Sequence, residues 1–454
     1  MTDLLLVAPD GVVTSETLVE HEPTLTPATP LKSRVAYAAA HVIPKPFAEN
    51  VPGAPADLDW DATLAFRHHV WSQGLGVADA MDTAQRNMGL DAAATRELIT
   101  RSAREAASVA GALVVGANTD HVDDEVISLD AVIDAYLQQL EFTEDAGAGV
   151  VLMASRHMAR SAQSPADYER VYSAVLERAT TPVVLHWLGE AFDPVLKGYF
   201  ARPGDDVSAA ADTLIRIIEA HPDKVSGVKM SLLDADAEIA VRARLPHTAA
   251  MFTGDDFNYV DLIKGDGAQE RGHYSDALLG AFAAIAPVAS RAIRALDDGD
   301  ADAYERILRP TEALSRQVFA APTFYYKTGV AFLSWLNGHQ ESFTMVGGLH
   351  SARSLPHLSE IVRLANGSGA LERPELAAAR WHGLLALNGI VEPTHAFAPV
   401  QPASPLVEPV ETSPKETSPS PRETSLAGSD SAAAGFDKLD QREQGDQREQ
   451  EQHA

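Results

Sequence analysis

The chain has 454 residues, 45% of them apolar, no cysteine and a formal net charge of −28. That length and apolar content can bury a large core, and the missing thiols exclude disulfides and thiolate sites. The acidic balance argues against nucleic acid and anionic membrane surfaces as partners, because both are held by basic patches.

No stretch reaches the length of a membrane span. The first residues carry an early acid and no basic region, so they do not read as a signal peptide, and a cytoplasmic protein is expected. Residues 1–32 read as a small appendage and linker. An apolar run from Leu4 to Val7 meets the turn signal Pro9-Asp10-Gly11, a second apolar pair follows, and Pro23, Pro27 and Pro30 mark the linker. Residues 33–297 then alternate short apolar runs with helical stretches. The spacing predicts strands over residues 35–43, 76–81, 112–117, 149–154, 182–187, 225–230, 249–253 and, more weakly, 274–279. Helices such as 92–110, 129–145, 165–179 and 207–220 fall between them. Ser128 is placed to cap one helix, and Ser164-Pro165 opens another with proline at its first position. Eight such units fit an α/β protein of the (β/α)8 TIM-barrel type; a doubly wound open sheet is the alternative, and no glycine-rich phosphate loop supports it. Residues 298–392 read as a C-terminal helical segment, with apolar residues at helical spacing over 302–319, 323–337 and 375–387. From 393 to 454 Ser, Thr, Pro, Glu and Gln dominate, and too few apolar residues remain to bury a core, so a disordered tail is expected.

Within the sixth unit, the run Val225-Ser226-Gly227-Val228-Lys229-Met230-Ser231 carries a single lysine. A lysine in a buried strand is costly unless it is neutral, paired or used. Burial lowers an ammonium pKa, and the neutral amine is the form that attacks a carbonyl to make a Schiff base. The other reading is a strand-end lysine with a buried stem and its head in water.

The succession of motifs resembles the dihydrodipicolinate synthase and N-acetylneuraminate lyase superfamily of class I aldolases. Pro44-Lys45-Pro46-Phe47 followed by Leu58-Asp59-Trp60-Asp61 is similar to that family's first-strand turn and the acid opening its first helix. Val114-Val115-Gly116-Ala117 is similar to its third strand, and Pro182-Val183-Val184-Leu185-His186-Trp187 to its fifth. Gly227-Val228-Lys229-Met230-Ser231 resembles its GIKDS signature, in which the lysine is the Schiff-base nucleophile, and Thr253-Gly254-Asp255-Asp256 resembles its seventh strand end. Residues 280–287 look like the stretch ending the barrel, and Tyr326 to Gly329 with Trp335 to Gly338 like the C-terminal helical segment. Each motif alone is weak; their order and spacing carry the resemblance. It implies a Schiff-base lyase or aldolase, or a related hydrolyase, without a cofactor, acting on a small molecule and assembled as a dimer or tetramer.

The departures bear on the substrate. The family's GTTGE loop, which holds a keto-acid carboxylate, is replaced by Ala80-Met81-Asp82-Thr83-Ala84-Gln85, where Asp82 would repel a carboxylate. The fifth-strand tyrosine is replaced by His186, and the fourth-strand PPYY by Ala154-Ser155-Arg156-His157. The expected site is therefore catalytic Lys229 and His186, with Asp82, Thr83, Arg156, His157 and Asp255 binding a hydroxylated keto compound, plausibly sugar-derived. His186 reads equally as a proton relay or a structural strand-end histidine. Asp82 reads as a hydroxyl acceptor or a turn cap, and one of Asp255 and Asp256 as a helix cap. Arg156 and His157 read as an anion site or a solvated loop. Tyr325, Tyr326 and Lys327 read as packing residues of the helical segment. No metal ligand set is assigned: His68 and His69 point in different directions on a helix, and the acidic run from Asp120 to Glu125 lacks a fixed ligand spacing. A metal-dependent isomerase or hydrolase using Asp82, His121 and Asp123, or a non-catalytic barrel, is the alternative.

Overall fold

Ten strands organise the chain in the computed structural model, which describes residues 3–21, 30–202, 205–268 and 270–391. β1 (Asp3–Val7) and β2 (Val13–Thr17) form an antiparallel hairpin, with Asp3 opposite Thr17 and Val7 opposite Val13. Its turn uses Gly11 at φ 84°, a conformation open to glycine at little cost, and the Asp10 carboxylate accepts from the Val12 amide at 3.0 Å. The hairpin does not dangle. Leu4 to Val7 are buried, the Trp381 indole donates to the Leu5 carbonyl at 2.6 Å, and the Val7 amide donates to Ser359 Oγ at 2.7 Å. The run Leu4-Leu5-Leu6-Val7 is apolar on consecutive residues because the C-terminal helices cover it.

The remaining strands are β3 (Ala36–Ala39), β4 (Gly76–Asp79), β5 (Leu113–Ala117), β6 (Gly149–Leu152), β7 (Val183–Leu188), β8 (Val225–Ser231), β9 (Ala250–Thr253) and β10 (Asp276–Leu279). They are parallel and close in sequence order, β10 pairing both β9 and β3, so the fold is a (β/α)8 TIM barrel. Every expected strand is present, several of them shorter than the spacing suggests. The run 35–43 yields a strand only at Ala36–Ala39, and the chain then bends toward Pro44, which has no amide hydrogen to give a ladder. The expected tail and part of the expected linker lie outside the described residues.

The helices start where the sequence supplies a cap. Ser128 accepts from the Ala131 amide, and Ser164 with Asp167 forms a capping box ahead of Pro165. Asp59, Asp91, Asp206, Asp234 and Asp300 each accept from the amide three residues on, so part of the acidic charge serves helix starts. Inside the barrel, Tyr37, Ala39, Ala78, Val114, Val151, Met153, Val184, Phe252 and Leu278 pack the lumen, alternate residues on each strand facing inward. After β10 the chain continues through the helices Ala286–Asp297, Ala301–Val318, Tyr326–Leu336, Leu355–Ser368 and Pro374–Leu387. Among the described residues no helix is long and apolar enough to cross a membrane.

Candidate active site

The register of the barrel decides what Lys229 can reach. Lys229 lies opposite His186 on β7 and Phe252 on β9, and its alternation with Gly227 and Ser231 turns it into the lumen near the strand's carboxyl end. Its side chain has room because residue 254 is glycine: a Cβ there would come within 3.0 Å of Lys229 Cε and 2.1 Å of Ser231 Oγ. Lys229 is 8% exposed, and its ammonium is paired with no carboxylate among the described residues. Burial lowers its pKa, while the charges of Asp82 and Asp256 oppose the shift. Burial raises the Asp256 carboxyl, against the Ala281 amide bonded to it at 2.8 Å and against the Lys229 charge. The two shifts run toward each other, the amine's downward and the carboxyl's upward, because burial disfavours the charged form of each.

Lys229 lines a tight cavity of about 10 Å³, room for roughly one water. Asp82, Thr83, Ser231, Asp256 and Tyr326 share that wall. The Tyr326 hydroxyl is 2.8 Å from Thr83 Oγ1, and its ring stacks on Phe319 at 4.3 Å between centroids. Both rings come close over Gly280, where a Cβ would meet Phe319 at 2.9 Å and Tyr326 at 3.1 Å. Burial, with Asp82 and Asp256 nearby, raises the Tyr326 pKa well above the ordinary value, so the phenol keeps its proton. Asp82, Leu188 and Phe192 separate this cavity from a larger one of about 550 Å³ at the mouth. Phe192 stands at that neck, edge-on to Tyr326 at 6.0 Å and to Phe319 at 6.3 Å.

The loop carrying Asp82 and Thr83 is rigidly held. Ala80, Gln85 and Asn87 all take positive φ (48°, 65° and 59°), which side chains rarely adopt. Buried Arg86 fixes the loop, donating to the Ala80 carbonyl at 3.1 Å and to Asp120 at 2.8 Å. Asp120 therefore serves Arg86, and His121 Nδ1 accepts from the Gln139 amide nitrogen at 2.8 Å. Among the described residues, Asp82, His121 and Asp123 do not converge as ligands for one ion.

Lys327 faces the larger cavity with Arg156 and His157. Its Nζ donates to the Phe324 carbonyl at 3.0 Å and lies 4.5 Å from the Tyr326 ring centroid. Burial pushes its pKa down to about 8, with Asp82 acting against and Arg156 with that shift. Arg156 is ion-paired with Asp193 and remains partly exposed. His157 is buried and committed at both nitrogens, to Thr119 Oγ1 and to the Asp124 carbonyl, each at 2.7 Å.

Two of the expected site residues stand back from the Lys229 cavity. Asp255 was expected at the substrate; its carboxylate instead closes the turn after β9, accepting from the Phe257 and Asn258 amides at 2.8 and 3.1 Å, and Asp256 faces the cavity. His186 is fully buried beneath the wall, with Nε2 3.2 Å from Ser231 Oγ and Nδ1 without a partner among the described residues. Burial and the Lys229 charge push its pKa well down, which keeps the ring neutral. Sequence reasoning placed one of Asp255 and Asp256 at the mouth and chose Asp255, and it read Tyr326 and Lys327 as packing. One signal was available: Lys327 is the sole charge in the otherwise apolar helix Tyr326–Leu336.

The fold is that of the dihydrodipicolinate synthases. Dihydrodipicolinate synthase from Aquifex aeolicus superposes with a TM-score of 0.57 at 12% identity, over 74% of this chain and 98% of that one. The 4-hydroxy-tetrahydrodipicolinate synthase from the methanotroph Methylacidiphilum fumariolicum SolV gives 0.56 at 15%, over 76% and 99%. A putative dihydrodipicolinate synthetase from Pseudomonas aeruginosa gives 0.51 at 17%, over 72% and 99%. The chain belongs to the family described as a protein of unknown function, DUF993, which matches residues 4–390. No curated protein matches it.

Proposed function

We propose that this protein is a Schiff-base-forming lyase or aldolase that acts on a small hydroxylated keto compound through Lys229. The observation that carries the reading is a buried lysine with a lowered pKa, unpaired among the described residues, at the carboxyl end of a barrel strand and in one cavity with Asp256, Tyr326 and Thr83. In this reading the neutral Lys229 amine adds to the substrate carbonyl carbon. The carbonyl oxygen takes two protons, one given up by the attacking nitrogen and one from an acid in the cavity, leaves as water, and a protonated imine forms. That imine draws in the electron pair of the adjacent carbon–carbon bond as the hydroxyl beyond it loses its proton, which releases an aldehyde and leaves an enamine. Protonation of the enamine carbon and addition of water then free the second product and the amine. Asp256 is positioned to exchange the amine proton, and the protonated Tyr326 phenol, held by Thr83, to serve the departing and returning oxygens.

The substrate's carbonyl end belongs in the tight cavity. Its remainder would pass Phe192 into the larger one, where Asp82 suits a hydroxyl and Lys327 with Arg156 suits an anionic group. The reading carries with it a homo-oligomer, dimer or tetramer, which sizing by light scattering would check. Its direct test is borohydride reduction with candidate keto sugars and their phosphates. A stable adduct on Lys229, found by peptide mass spectrometry and lost in Lys229→Ala, is expected. Turnover of any such substrate without an adduct would remove the mechanism.

A further inference from the structure

We infer that His69, His339 and Glu372 form a binding site for a zinc-class divalent ion that clasps the first barrel helix to the C-terminal helical segment. The three side chains are far apart in sequence, and their ligand atoms lie within 4.8 Å of one another. His69 and His339 both turn Nε2 toward the same carboxylate oxygen of Glu372, at 3.5 and 2.9 Å. Around a tetrahedral zinc with bonds of about 2.0–2.1 Å, neighbouring ligand atoms stand roughly 3.3 Å apart, so small side-chain shifts would seat an ion. Two imidazoles and one carboxylate are the donors that borderline metals such as zinc prefer over calcium or magnesium. The side chains are 16–24% exposed, which leaves an approach for the ion and a fourth position for water.

The site is also supported from behind. His69 sits in the last turn of the helix Trp60–Ser72, while its neighbour His68 points elsewhere, to Glu105. Two adjacent histidines cannot share an ion, but each can find its own partner. His339 follows the helix Tyr326–Leu336 across Gly338, which adopts φ 82°. The Glu372 amide donates to Asn337 Oδ1 at 2.9 Å, and Asn337 Nδ2 donates to the Ala370 carbonyl at 2.9 Å, so the segments carrying His339 and Glu372 are tied together. Phe66 packs edge-on against His339 at 5.5 Å. Such outer supports fix ligand orientation in metal sites. None of the three residues lines the cavities around Lys229 or Lys327, so the ion would be structural, and the inference stands apart from the proposed lyase chemistry.

The test uses the full chain, stripped with chelator and titrated with zinc chloride by calorimetry, with cobalt chloride as the spectroscopic probe. The wild type should take up about one equivalent, show the visible absorption of tetrahedral cobalt, and gain several degrees in its unfolding midpoint. His339→Gln and Glu372→Gln should each lose zinc affinity by more than tenfold, since even outer-shell losses cost ~10–100-fold. His68→Gln should bind as the wild type does. Glu372→Gln keeps an acceptor for both histidines, so it should still fold, and its unfolding midpoint should be the same in chelator and in zinc. Equal zinc binding in wild type, His339→Gln and Glu372→Gln would overturn the inference, as would a wild-type midpoint that zinc does not move.

Discussion

Two of the buried cations, Arg67 and Lys229, are treated in opposite ways. Arg67, from the first barrel helix, grips Asp79 with two hydrogen bonds of 3.1 and 2.8 Å, both side chains fully buried. Its other nitrogen donates to the carbonyls of His41 and Thr63 at 2.7 and 2.9 Å. Asp79 accepts in addition from the Ala80 amide at 2.8 Å and from Ser102. Every charge there has a partner, so the pair locks the helix to β4 and has no proton to give. Lys229 has no ion-pair partner among the described residues, and burial weakens its charge. A satisfied buried cation is structure; an unsatisfied one is what the proposed Schiff-base chemistry requires, and it costs stability.

The contrast breaks most sharply at Lys229. Lys229→Met should lower turnover on the order of 10³-fold or more, because the nucleophile is gone, while its urea unfolding midpoint stays level or rises as the unpaired amine is removed. If Lys229→Met instead destabilises the fold as a broken ion pair does, the lysine is structural. The reverse pattern is expected at the other cation. Asp79→Ala strands a fully buried guanidinium and should cost about 3–5 kcal/mol by urea titration. Between these lies Tyr326→Phe. It should lower kcat by ~10²-fold while borohydride still traps the imine on Lys229, since the phenol moves protons and does not form the bond. A tyrosine that merely packs would leave kcat in place, because phenylalanine preserves the stack on Phe319.

The barrel was legible because its signals are local. The spacing places the helices Leu129–Asp145 and Val207–Ala220 at their observed bounds, and the apolar runs place all eight barrel strands. Lys229 was legible for the same reason, as one charge in an apolar run. The rest of the site was not, because it depends on long-range approach. Tyr326 meets Thr83 from the far end of the chain, through an approach that only the missing side chain of Gly280 allows. Asp255 and Asp256 are chemically identical in sequence, and only the turn after β9 tells which one caps and which one faces the amine. His186 aligns with Lys229 as the strand order implies, yet Ser231 stands between it and the cavity wall. The helix Leu355–Ser368 was not singled out, although Ser354 caps it and Pro356 lies in its first turn.

A third buried group resolves its charge by staying neutral, and it sharpens the comparison through pH. Glu238, in the helix Ala235–Arg242, accepts from Ser275 at 2.7 Å, and Arg242 donates to the same hydroxyl at 3.1 Å. Burial pushes the Glu238 carboxyl up to about 8 from its ordinary 4.5, more than its hydrogen bond to Ser275 pulls it down. A carboxyl whose folded pKa lies above its unfolded one stabilises the fold while protonated. Its share is therefore complete below the unfolded value of 4.5 and is lost as pH climbs to about 8. Across that window the group should tilt stability downward by up to about 1.4 kcal/mol per pH unit, one proton's worth. Glu238→Gln keeps the hydrogen bond from Ser275 and cannot ionise, so its stability should vary less with pH and overtake the wild type toward the alkaline end. Urea midpoints for both proteins at acidic and mildly alkaline pH would read the difference. Parallel curves would mean that Arg242 neutralises the carboxylate after all, and Glu238 would then join Asp79 among the paired charges.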